Sequence, residues 1–421
     1  MCDTLVALPE HTAGRATLFA KNSDRKAGEC QPFVQYPAAA HAPGSRIRCT
    51  HVEIPQVAET YRVMGHSPWW VWGFEHGLNE HEVAIGNLTI FSRETIEAKP
   101  GLIGMDLVRL GLERGRTARE ALEIIAGLIE VHGQGGPALA PGGTGYHNAF
   151  LLADPDEAWI LETSNRRWAA RRARLDACSN HISLGRDWAI ASTDLESFAR
   201  AEGWWERDGR IDVAAAYRNP HVDISEGRLR RTRELLRKHA GALDVARMQE
   251  ILRDHGEGRA AWTPGSRPEE ERHFTVCAHS DTLAWTTASL VAPLPVDRGR
   301  PWAVWISFGT PCSSVFLPVY LEGLIPPELA RGGEKPEADS AWWTFEELRI
   351  AVAQDPPRWT PVVRAGWAPF EARIEDERAA LEARVAATRD PDLRAALLSQ
   401  FMARIAVETL EMCRELRAQI A

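Results

Sequence analysis

The apolar positions of the chain change period several times, and each change marks an element. Cys2 to Leu8 are β-prone and short of charge, "PEHTAG" supplies turn chemistry, and "RATLFAKNSDR" resumes with Ala16, Leu18 and Ala20 on alternate positions. That pattern predicts a strand hairpin at the start of the chain. Glu82 to Phe91, "EVAIGNLTIF", predicts a long strand or a strand pair. The period then turns helical, with Leu107, Leu110, Leu122, Ile125 and Leu128 at helical spacing in "GMDLVRLGLERGRTAREALEIIAGLIEVHG".

Beyond the Gly-rich "APGGTGYHNAF", Asp154-Pro155-Asp156 separates two apolar runs in "AFLLADPDEAWILET". Proline fixes φ and aspartate bonds its own backbone, so a second hairpin is predicted. Further strands are predicted at "HFTVCAH", "LAWTTASLVAPL" and "PWAVWISFG". After the polar break "LARGGEKPEADS" the pattern is helical, with Ile374, Leu381 and Val385 in one stripe and Leu397, Phe401, Ile405, Met412 and Leu416 in another. Strands and helices fall in blocks, which argues an α+β fold rather than a regular βαβ series. The expected organisation is one large domain over residues 1–330 and a helical C-terminal extension over 331–421 packed on it.

With 421 residues, 44% of them hydrophobic, the chain has material for a large core without staples. Seven cysteines, with no C-x-x-C pair, suggest neither a disulfide framework nor a zinc site, and point to a reduced compartment. No secretory leader and no apolar run of about 20 residues is visible, so a cytoplasmic protein with no membrane partner is expected. A net charge of −9 argues against nucleic acid. The arginine clusters "RRWAARRAR" and "RLRRTRELLRK" read mostly as solvated faces. The expected partner is a small molecule.

Chemistry concentrates at the chain start. Removal of Met1 would give Cys2 a thiol and a free α-amine on one residue. A cysteine attacks as the thiolate, and an α-amine with a pKa of about 8 can take the thiol proton and later return it to a leaving amine. A hairpin brings "FAKNSDR" beside Cys2, placing the cation of Lys21 and the carboxylate of Asp24 near it.

Taken in order, "MCDTLVALP", "FAKNSDR", "YHNAFLLADPDEAWILET", "TTASLVAPL" and "GTPCSSVFLP" resemble the secernins and related dipeptidases of peptidase family C69. These belong to the N-terminal-nucleophile hydrolases, related to penicillin V acylase and bile salt hydrolase. The resemblance runs from Cys2 to about Pro327. It implies a four-layer αββα sandwich of two antiparallel sheets, with Cys2 as nucleophile and Asp24 orienting its amine. Lys21 stands where the acylases carry arginine. Asn180, in "CSNHISLG", matches an asparagine that stabilises the oxyanion, and Asn87 or Thr89 in "AIGNLT" is the second substrate-side donor. A downstream active-site arginine would be Arg228 or Arg231.

The implied activity is hydrolysis of an amide bond in a dipeptide or small acylated amine, through an acyl thioester and with no cofactor or metal. An acyltransferase would use the same residues. A non-catalytic, secernin-like interaction protein is the alternative from another class, since fold does not imply function. His76 and His81 are five apart, the wrong spacing for one helix face, and with His279 they read as packing residues. "PGGTG" lacks the Lys-Ser/Thr of a phosphate loop, and "PWWVWG" reads as core. The amphipathic C-terminal helices suit packing on this chain or on a second copy, so a homo-oligomer stays open.

Overall fold

A computed structural model describes residues 1–97, 99–222, 225–262, 275–280, 284–295 and 300–420. The first hairpin forms as the alternation requires. Strand β1 (Cys2–Ala7) pairs antiparallel with β2 (Thr17–Arg25), with Cys2 opposite Ser23 and Thr4 opposite Lys21. These two strands lie inside a six-stranded antiparallel sheet, between Leu175–Cys178 on one side and Trp285–Leu294 on the other. The second sheet has eight strands and is also antiparallel. At its centre stand Ala84–Ile90 and the hairpin of His147–Ala153 with Ala158–Ser164. In that hairpin's turn Asp154 accepts the N–H groups of Asp156 and Glu157 at 2.8 Å, the self-bonding its sequence predicts.

Side chains alternate across a strand, so one hairpin serves two cores. Cys2, Val6 and Phe19 face the space between the sheets, where they meet Leu88, Leu151 and Ile160 of the second sheet. Leu5, Ala7, Leu18 and Ala20 face outward, under the helices Glu226–Lys238 and Val245–Leu252. Helices α1 (Gly104–Arg114) and α2 (Ala118–His132) cover the far face of the eight-stranded sheet through Leu107, Leu110, Leu122 and Ile125. The result is the αββα layering. The predicted single helical stretch divides at Gly115, and Thr117 caps the second helix by accepting the N–H of Glu120 at 3.1 Å.

The C-terminal segment forms the helices Ala341–Val352, Pro356–Ala387 and Pro391–Ile420. Trp342, Trp367 and Phe401 join the same apolar cluster as the inter-sheet residues. The indole N–H of Trp342 donates to the carbonyl of Thr287 at 2.9 Å, and that of Trp367 to Ser313 at 3.2 Å. No helix among the described residues is long and apolar enough to cross a bilayer.

The strand expected at "HFTVCAH" does not form over its described part, and its first two residues lie outside the described residues. There the Cys277 N–H donates to Asp254 and the Ser280 N–H to Ala284, loop bonds that replace a ladder and leave one isolated bridge between His279 and Trp285.

Candidate active site

The alternation that builds the two cores also sorts the polar residues of the hairpin. Cys2 and Lys21 point between the sheets, whereas Asp3 and Asp24 point to the helix-covered face. Lys21 is fully buried, and its Nζ lies 3.2 Å from Glu75 Oε2. Its stem crosses Gly86 in the opposite sheet, where a Cβ would come within 2.5 Å of Lys21 Cδ. Glu75 also receives Arg25 at 3.2 Å, and Arg25 bridges on to Glu29. Burial pushes the Glu75 carboxyl up, but Lys21 and Arg25 outweigh it and hold the group below the ordinary carboxylate range.

The Cys2 thiol lies 4.0 Å from Glu75 Oε2. Burial raises its pKa above the usual thiol value, against the opposing pull of Lys21. The thiol is therefore the resting form, and any attack by its sulfur would need a base. The nitrogen of Cys2 donates to Asn180 Oδ1 at 2.8 Å, while Asn180 Nδ2 donates to the carbonyl of Thr89 at 2.8 Å. Both ends of the Asn180 amide are thus engaged, with its oxygen on the very atom that becomes the α-amine once Met1 is gone. Met1 occupies the next ladder position, its nitrogen 2.8 Å from the Asp24 carbonyl.

On the helix-covered face Arg228, fully buried, donates through both Nε and Nη2 to Asp3 and reaches Asp24 at 3.1 Å. Thr286 Oγ1 completes the group by donating to Asp24 at 2.7 Å. Arg231 is not part of this constellation: it pairs with Asp254 at 2.8 Å on the partly exposed side of the helix. One arginine of the basic run therefore turns inward as a counter-ion, and of the two candidates in that mostly solvated run it is Arg228.

A cavity of about 370 Å³ opens above Cys2. Asp24, Glu75, Asn87 and Thr89 form part of its wall, Ser280 and Ala284 another, and the exposed Lys26 stands on its rim. Leu139, Ala140 and Tyr146, which flank "PGGTG", close a further side. With its amide oriented as the surrounding groups require, Asn87 Nδ2 donates to the Glu75 carbonyl at 3.0 Å and to Oε2 at 3.2 Å.

Glu75 and Arg25 are the residues that reading the sequence passed over. A lone acidic residue inside the apolar "WWVWGFEHG" was the available signal. His76 and His66 pack edge to face and are both held neutral by burial, His66 down to about 3. His81 packs against Tyr61. The packing reading fits both His76 and His81.

Three solved structures are similar over most of the chain at low identity. A variant of the conjugated bile acid hydrolase of Clostridium perfringens is 13% identical, covering 73% of this chain and 89% of its own, with a TM-score of 0.43. The penicillin V acylase of Agrobacterium tumefaciens is 14% identical over 76% and 84%, with a TM-score of 0.42. A Caenorhabditis elegans N-acylethanolamine-hydrolyzing acid amidase ortholog is 11% identical over 70% and 95%, at 0.35. A family model matches residues 2–221, from the cysteine at the cavity floor through both hairpins. The chain belongs to peptidase family C69.

Proposed function

We propose that the protein is a cysteine N-terminal-nucleophile amidohydrolase that cleaves a dipeptide or a small acylated amine once Met1 is removed. The observation that carries this reading is the 2.8 Å contact between the Cys2 nitrogen and Asn180 Oδ1 at the floor of the cavity. Removal of Met1 frees that nitrogen as an amine already aimed by a hydrogen bond, on the same residue as the thiol it must deprotonate. The amine takes the thiol proton, the sulfur adds to the amide carbonyl, and the same proton goes to the departing amine as the C–N bond breaks. Water then adds to the thioester, and the acid leaves as sulfur regains its proton.

In this reading Asn180 holds the base rather than the oxyanion. Asn87, on the cavity wall, supplies the donor by turning one N–H from Glu75 to the oxyanion as it forms, a contribution worth about 3 to 4 kcal/mol where such donors have been removed from other enzymes. Lys21, Arg25 and Glu75 fix the local field, and the Asp3–Arg228–Asp24 group anchors the hairpin from the other face. Lys26 on the rim suits a substrate carboxylate, which favours dipeptides. Seven buried free cysteines suit a reducing compartment, and the cytoplasm is the proposed location.

Intact mass of the purified protein, paired with dipeptide and acyl-amine turnover by the wild type and Cys2→Ala, tests the proposal. Loss of Met1 together with turnover abolished in a folded Cys2→Ala is the expected result. Turnover by protein that retains Met1, or by Cys2→Ala, refutes the mechanism.

A further inference from the structure

Apart from the Cys2 cavity, one other cluster of reactive side chains stands out, on the helix-covered side of the six-stranded sheet. His255 follows the helix Val245–Leu252, Cys277 and His279 precede the strand Trp285–Leu294, and Cys312 follows the strand Val304–Phe308. All four are buried, and one nitrogen or sulfur from each lies within 4.8 Å of all the others. His255 Nε2 is 3.1 Å from His279 Nε2, and His279 Nε2 is 3.2 Å from Cys277 Sγ and 3.5 Å from Cys312 Sγ. Trp262 stacks on the His279 ring at 4.5 Å, and Trp285 meets it edge-on at 5.2 Å.

Zinc bonds of about 2.0 Å to nitrogen and 2.3 Å to sulfur give a tetrahedron with edges of about 3.3 Å between nitrogens and about 3.5 Å from nitrogen to sulfur. The three separations from His279 lie at or just inside those edges, and the remaining pairs lie within 4.8 Å. Two imidazoles and two cysteines, with the rings of Trp262 and Trp285 against His279, match the four-ligand donor set of a structural Zn²⁺ rather than the three-ligand set of a catalytic one. From these residues we infer a zinc site with two cysteine and two histidine ligands, formed by His255, Cys277, His279 and Cys312. The sequence hides it because the ligands stand 24, 2 and 33 positions from His279 rather than in paired short motifs.

The site clips three loops together next to the active cavity. Between the ligands Cys277 and His279, the Ala278 N–H donates to Thr286 Oγ1 at 2.9 Å, and Thr286 donates in turn to Asp24. Ser280, one residue beyond His279, lines the cavity itself. Zinc would therefore position the Thr286–Asp24 bond while touching no substrate, and its presence does not depend on which amide the enzyme cleaves.

The test is elemental analysis of untagged full-length protein, purified under reducing conditions without chelator, followed by stripping, zinc titration against a competing chelator, and cobalt substitution. About one zinc per chain, a cobalt–thiolate charge-transfer band, and loss of both in Cys277→Ser and Cys312→Ser are expected. Chelation should also lower the wild-type melting temperature. If the serine variants fail to fold, the wild-type stoichiometry and the cobalt band decide alone. The inference is overturned by wild-type protein that takes up no zinc, whether its thiols are free or joined as a Cys277–Cys312 disulfide, or by zinc retained undiminished in the folded serine variants.

Discussion

Glu75→Gln removes one charge and almost no volume from the centre of the site. Lys21 and Arg25, each 3.2 Å from the carboxylate, lose their shared counter-ion, although Arg25 keeps Glu29. At an effective dielectric of about 20, each contact at that distance attracts by about 5 kcal/mol, roughly 10 kcal/mol for the two. The carboxylate's own desolvation, several kcal/mol, disappears with it and offsets part of the loss. A net destabilisation of about 3 to 5 kcal/mol follows, the range for breaking a buried pair from one side.

The sign against pH is fixed by the direction of the shift. Glu75 is held below its unfolded value, so its contribution is complete above the unfolded pKa of about 4.5 and is lost as pH falls through the lower folded value. Urea unfolding of wild type and Glu75→Gln should therefore differ by a constant amount from pH 8 down to about 5, and converge only at lower pH. A second readout separates chemistry from folding. Removing a negative charge 4.0 Å from Cys2 Sγ lowers the thiol pKa, so the acid limb of kcat/KM should move to lower pH. A Glu75→Gln protein within 1 kcal/mol of wild type at pH 7, with an unmoved acid limb, would refute the electrostatic account.

The two arginines raised by the sequence should separate cleanly. Arg228→Met leaves Asp3 and Asp24 buried without their cation and should cost at least about 3 to 5 kcal/mol, whereas Arg231→Ala loses a partly exposed pair worth about 0 to 1 kcal/mol; equal effects in denaturant melts would contradict the placement. Lys26→Ala, at the cavity rim, should raise KM for dipeptides by roughly 5- to 10-fold, as expected for a loss of about 1 kcal/mol, and leave kcat and the KM of uncharged acyl amines unchanged. A uniform effect on both substrate classes would rule out carboxylate recognition there.

Local periodicity alone determined the hairpin of Cys2–Ala7 with Thr17–Arg25, the Asp154 turn, and the two amphipathic stripes of the C-terminal helices. Each is set by side-chain spacing and turn chemistry within a few residues, which is information a linear chain carries. The juxtaposition of Cys2, Lys21 and Asp24 was legible for the same reason, since hairpin register is a local property, and the ordered C69 motifs placed the chain in its family. That Lys21 and Asp24 would face opposite sides of the sheet was also implicit in the alternation, but which side held Glu75 and which held Arg228 was not. Those partners lie 54 and 204 positions away, and only packing of the second sheet and of the Glu226–Lys238 helix against the hairpin brings them in. The same long-range closure gathers His255, Cys277, His279 and Cys312 from three loops. Buried charges and converging donors are properties of a finished interior, where dielectric and distance are set by the whole fold. Local spacing therefore set most of the elements and the neighbourhood of Cys2, and tertiary structure alone decided which charges meet around it.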